Sequence, residues 1–172
     1  MLLVALFSCS AEEEVSDVST QIKTEVITTS NMPDNETLFT QFKADLESDR
    51  FVIEDSRTEE NFVWYDGDRD VDLKVEGEGI RWYYIKQHDK PGETQHYHPD
   101  FNLMVFEFEN RKKAKSCYQK IDDALRSNSG FMNGKGPQRV VFNQNEVFYF
   151  SSRAEMFRRY INFYAKQVEG YH

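Results

Sequence analysis

The sequence predicts an α+β domain, a mainly antiparallel sheet with helices packed on one face. Three observations point there. Runs of β-branched and aromatic residues crowd the middle of the chain, strongly amphipathic helical stretches follow, and an Asn-rich turn joins two apolar runs between them. With 172 residues the chain has room for one ordinary domain and a tail.

The elements follow in order. In "PDNETLFTQFKADLESD", Leu38, Phe39, Phe42 and Leu46 recur at helical spacing, and Asp34 or Asn35 is placed to cap the first turn. The runs "RFVIED", "NFVWYD", "VDLKV", "IRWYYIKQ" and "FNLMVFEFE" read as strands, separated by turn clusters such as "DGDRD" and "EGEG". The last of these has Asn102, Met104, Phe106 and Phe108 on one face and Phe101, Leu103 and Val105 on the other. It therefore reads as a central strand covered on both sides.

A helix is expected from Asn110, a good cap, with Ala114, Cys117, Tyr118, Ile121 and Leu125 as its apolar stripe and Gly130 at its stop. "RVVF-NQN-EVFYF" reads as a hairpin. Ser152 and Glu155 have capping-box spacing ahead of a final helix lined by Met156, Phe157, Tyr160, Ile161, Tyr164 and Val168. From Phe101 onward the order strand–helix–hairpin–helix is most of a ferredoxin-like, split βαβ arrangement, with an earlier strand able to supply the fourth.

Charge divides the chain. Of the formal −9, residues 9–36 carry seven acids and one base, so the remainder is close to balanced. This balance excludes a polyanionic partner, and no nucleic-acid binding is expected. From Ser10 to about Asp34 there is no Phe, Tyr or Trp, and the stretch cannot bury enough surface to offset chain entropy. The expected layout is a leader at 1–8, an acidic tether at 9–34 and one domain at 35–172.

The start itself, "MLLVALFSCSAEEEV", is too short to span a bilayer. Leu6, Ser8 and Cys9 of "LFSC" resemble the lipobox of bacterial lipoproteins, and "CSAEEE" resembles the acidic tag of Bacteroidetes-type surface lipoproteins. The resemblance implies that Cys9 is diacylated and becomes the mature N-terminus. It further implies a protein held to the outer membrane in the cell envelope, periplasmic or surface-exposed. Two acyl chains matter physically, because one alone holds a protein only marginally.

Within the domain, three clusters are candidates for chemistry. "QHDKPGETQHYHPD" brings His88, His96, His98 and Asp100 into one polar loop, and an H-x-H pair on extended chain can close on Zn²⁺ or Cu²⁺. "DGDRDVD" alternates aspartates but has Val71 and Gly77 where a calcium loop requires Gly and Glu, so it reads as a turn. Trp64, Trp82 and Tyr84, with Tyr65 and Tyr83, offer aromatic surface for a sugar or peptide, although alternation commits one face of "RWYYIKQ" to the core.

No catalytic signature is present: no G-x-S-x-G, no P-loop, no G-x-G-x-x-G and no H-E-x-x-H. Cys117 lies on a buried stripe, where a thiol is inert. Glu107 and Glu109 read as the solvent edge of their strand. The expectation is a non-catalytic binding or structural module with an envelope protein or glycan as partner. The metal reading and the aromatic-surface reading are its alternatives.

Overall fold

The computed structural model describes residues 22–32, 36–89, 92, 97–128 and 130–171. Eight strands and three helices occur among them: β1 (Lys23–Thr28), α1 (Glu36–Ser48), β2 (Phe51–Thr58), β3 (Asn61–Asp66), β4 (Val71–Glu76), β5 (Ile80–Gln87), β6 (Asp100–Glu107), α2 (Arg111–Arg126), β7 (Gln138–Asn143), β8 (Glu146–Ser151) and α3 (Arg158–Gly170). The α+β class and the largely antiparallel pairing are as the sequence predicts. The expected Asp34 or Asn35 cap of α1 lies outside the described residues.

The strands form two sheets. Five of them run in the order β2-β5-β6-β8-β7, antiparallel throughout, and three in the order β1-β4-β3. The reason for the larger sheet's position is the composition of β6. Phe101, Leu103 and Val105 are buried on one face, and Met104 and Phe106 on the other. A strand apolar on both faces is stable only when both are covered.

The covers differ. Leu38, Phe42 and Leu46 of α1 and Ile161, Tyr164, Ala165 and Val168 of α3 close the first face. Ala114, Cys117, Ile121 and Ala124 of α2, together with Trp64, Leu73 and Val75 of the small sheet, close the second. This corrects the expectation of helices on one face. The split βαβ order is present from β6 to α3, and β5 lies beside β6 as the fourth strand. Its two helices lie on opposite faces, however, so the ferredoxin-like arrangement is not adopted.

A second correction concerns the expected tether. Residues 23–28 of it form β1, paired parallel to β4 from Lys23↔Val71 to Thr28↔Glu76. Ile27 packs on the second core, and Glu25 bonds Lys120 of α2 at 2.6 Å and Arg69 at 2.9 Å. The strand's end is locked: Thr29 N donates to Glu76 O at 2.7 Å, and Ser30 N donates to Glu107 O at 2.9 Å. Gly79 makes this possible, since a Cβ there would lie 2.5 Å from Ser30 O. The "EGEG" stretch therefore accepts a strand as well as turning the chain.

Smaller details sort the same way. Asn110 caps α2 by accepting from Lys113 N at 3.0 Å, as predicted. The Ser152–Glu155 capping box does not form. Ser152 Oγ donates to Asp100 O and Glu155 pairs with Arg158, so a 3-10 turn at Glu155–Phe157 precedes α3 and leaves Met156 exposed.

This layout predicts a sharp contrast in stability. Leu103→Ala, which empties a fully buried site on β6, lowers the unfolding free energy by about 2–5 kcal/mol. Val26→Ala on exposed β1 changes it by less than about 0.5 kcal/mol. Urea unfolding followed by circular dichroism measures both.

Candidate functional site

Registry across the large sheet places unlike residues in two parallel rows on its second face. One row is Arg57, Trp82, Met104, Tyr149 and Val140. The next is Asp55, Tyr84, Asn102, Ser151 and Gln138. The first row runs under the edge of the small sheet, where Phe62 packs on Trp64 at 4.5 Å and on Tyr149 at 5.8 Å. Tyr84, Asn102, Ser151 and Gln138 in the second row are all half-buried, on a face whose other half is closed by α2 and the small sheet.

That uncovered corner is a cleft of about 380 Å³. Its floor is Trp82, Asn102, Met104, Tyr149 and Ser151, and its wall is the loop Asn133–Gly136. The wall is fixed in place. Asn133 accepts from Tyr65 N at 2.6 Å and donates to Tyr65 O, Gln138 Nε2 donates to Asn133 O, and Ser152 N donates to Pro137 O. Gly136 approaches β8 so closely that a Cβ would fall 1.7 Å from Ser152 O. A rigid wall beside a half-open polar floor is what a preformed binding site requires.

Each polar group there has a defined state. The Asn102 amide makes no hydrogen bond among the described residues. Tyr149 donates to Gln138 Oε1 at 2.9 Å, and burial pushes its phenol up to about 12. Tyr84 donates to Asp100 Oδ2 at 3.1 Å, and burial with the nearby Asp100 charge raises its pKa. Arg57 lies over the Trp82 ring at 3.9 Å and bonds Glu59 at 2.6 Å. Arg153 bonds Asp100 at 2.7 Å, so among the cleft's cations Lys135 alone has no acidic partner among the described residues.

The predicted aromatic residues thus divide. Trp82 lines this corner, and Tyr84 lies in the adjoining row, half-buried and bonded to Asp100. Trp64 is 1% exposed, wedged between Phe106 and Tyr149, and offers no surface to a ligand.

Among the described residues, the predicted metal ligands His88, His98 and Asp100 do not converge. His88 bonds Glu54 at 3.0 Å, His98 lies 3.7 Å from Asp89, and Asp100 is buried against Arg153 and Tyr84. His96 lies outside the described residues, as does Cys9. Among the described residues no three His, Cys, Asp or Glu side chains are placed to hold one ion.

Two further expectations change. Glu107 is buried, opposite Glu146 across β6 and β8, with Arg81 bonded to Glu146 and 3.7 Å from Glu107. It is not the solvent edge of its strand. Glu109 does reach solvent and pairs with Lys113. In the aspartate turn, Asp66 is buried and its Oδ1 accepts from the backbone N–H groups of Asp68 and Arg69. Burial works against ionisation of Asp66, but the bonds from Arg69 outweigh it and hold the carboxyl below its usual range.

Compared with protein-family models, curated proteins and solved structures, the chain finds no match. The site must be judged on its own geometry.

The buried acids of this interior predict alkaline behaviour. Burial pushes the Cys117 thiol up to about 12, and the phenols of Tyr149, Tyr164 and Tyr171 are raised as well. Each is held protonated by folding, so stability is complete below about pH 9 and falls as pH climbs toward 12. Absorbance at 295 nm and circular dichroism are expected to show these phenols ionising together with unfolding. Cys117 is expected not to react with a disulfide reagent at pH 8 until denaturant is added.

Proposed function

We propose that this protein is a lipid-anchored, non-catalytic binding module of the cell envelope, which takes an oligosaccharide along the row Asn102–Ser151–Gln138. One observation carries the reading. The half-buried Asn102 amide, which has no hydrogen-bond partner among the described residues, lies in an open cleft between Trp82 and a pinned loop, beside Ser151 and Gln138. Amides and hydroxyls match the donors and acceptors of sugar hydroxyls, and the part of Trp82 that lines the cleft adds apolar surface beside them.

Of the two cations that line the cleft, Arg153 is engaged by Asp100 and Lys135 has no acidic partner among the described residues, so the site accepts an uncharged sugar or one bearing a single acidic group. The geometry favours sugar over peptide. An added peptide strand needs an open sheet edge with free backbone groups, whereas this row lies on a sheet face.

Anchoring rests on the lipobox-like "LFSC" and the acidic "SAEEE" after Cys9. No described helix is long and apolar enough to cross a membrane. With β1 starting at Lys23, thirteen residues separate Cys9 from the domain and reach at most about 45 Å. The domain would then work close to the membrane surface.

Two measurements test the reading. Radiolabelled palmitate should mark the wild-type chain and not Cys9→Ser; equal labelling refutes the anchor. Calorimetric titration with hexamers of β-1,4-linked glucose and N-acetylglucosamine and of α-1,4-linked glucose should show binding. Asn102→Leu, through loss of a polar contact, or Trp82→Ala, through loss of apolar surface, should weaken it at least about tenfold. No binding by any hexamer, or binding indifferent to both substitutions, contradicts it.

A further inference from the structure

The first face of the large sheet carries a separate cleft of about 460 Å³ where the α1–β2 turn meets α3. It is lined by Asp49, Arg50, Phe51, Arg159, Tyr160 and Phe163 among others. Its floor is aromatic: Phe51 lies edge-on to Tyr160 and Tyr164 at 5.4 Å, and Phe163 on the rim is 49% exposed.

Arg50 is unusual in its backbone. It follows α1 with φ +65°, the left-handed conformation that closes many helices and that glycine adopts without cost. Its main chain already does what this position needs: Arg50 N donates to Glu47 O at 3.0 Å, and Arg50 O accepts from His88 N at 2.9 Å. Glycine would make the same bonds. The arginine side chain therefore adds local strain, and such strain at a cleft points to a role for the side chain.

The charges support a ligand role. Arg50 Nη1 donates to His88 O at 3.3 Å, and Arg159 donates to the Tyr160 hydroxyl and lies over that ring at 4.6 Å. Neither guanidinium has a carboxylate partner among the described residues, in a chain with nine more acids than bases. The cleft's one carboxylate, Asp49, accepts the Tyr164 hydroxyl at 3.0 Å. Two guanidiniums thus face one engaged acid over an aromatic floor.

We infer that this cleft binds a small organic anion with an aromatic body, its carboxylate, sulfonate or phosphate held between Arg50 and Arg159 and its ring against Tyr160 and Phe163. Guanidiniums recognise such oxyanions in a planar, two-pronged geometry. The volume accommodates a ligand of one or two rings. This site is independent of the oligosaccharide reading, which concerns the opposite face.

The probes are 8-anilinonaphthalene-1-sulfonate and its neutral counterpart N-phenyl-1-naphthylamine, titrated by fluorescence into the full chain. The sulfonate should bind at least about tenfold more tightly than the neutral amine. Arg50→Gly and Arg159→Gln should each weaken the sulfonate about tenfold and leave the amine unchanged, as loss of one charge-assisted contact requires. Phe163→Ala should weaken both. The melting temperature of Arg50→Gly should equal or exceed that of the wild type, which separates lost binding from lost folding. Equal affinity for the two probes, absence of sulfonate binding, or sulfonate affinity unmoved by both arginine substitutions would overturn the inference.

Discussion

Everything in this fold depends on β6 being apolar on both faces. Leu103, Val105 and Phe106 have no exposed surface, and the strand lies between β5 and β8. Its seven paired positions with β5 and six with β8 satisfy the backbone, but the side chains demand two separate covers. Burial of such residues contributes roughly 1.5–3 kcal/mol each relative to exposure, so leaving either face open would remove much of the net stability of a domain this size. The helices divide between the faces for that reason. The second face, served by α2 alone among the helices, recruits the small sheet.

The same constraint creates the open corner. Three strands and one helix cover the half of the second face that carries Ile80, Met104, Phe106, Val147 and Tyr149. Beyond Met104 the row changes from apolar to polar at Tyr84, Asn102, Ser151 and Gln138, and the cover ends with it. Burying that row would cost the desolvation of the Asn102 amide, which has no partner among the described residues, so the chain leaves it half-open to solvent. A ligand that supplies those hydrogen bonds can complete the layer. On the first face, the cleft beside Arg50 is a separate feature, bordered by the α1–β2 turn and α3.

Local patterning in the sequence foretold much of this and missed what depends on long-range contacts. The two-faced alternation of "FNLMVFEFE" identified the central strand, the Asn110 cap identified the start of α2, and "NQN" identified the β7–β8 hairpin. Strand β1 was missed because its partner is β4, 48 residues downstream and parallel, and its locking depends on Gly79 accepting Ser30. Facing of the helices was missed because amphipathicity says that a stripe is buried, not against which face. Alternation separates Trp82 and Tyr84 from Tyr83 and Ile85 but does not say which face is core. Their neighbours Asn102, Ser151 and Gln138 were not legible as such, since only sheet registry brings four strands into one row. The burial of Glu107 opposite Glu146 likewise needs the β6–β8 pairing to be known.

The small sheet is an integral cover of β6 and not an appendage. Native-state hydrogen exchange, read residue by residue across increasing denaturant, tests it most directly. The account predicts that protected amides of β4 around Leu73 and Val75 open with the same free energy and denaturant dependence as those of β6 around Leu103 and Phe106. If the β4 amides exchange through an opening several kcal/mol less costly while β6 stays closed, the small sheet folds apart from the core, and the account fails.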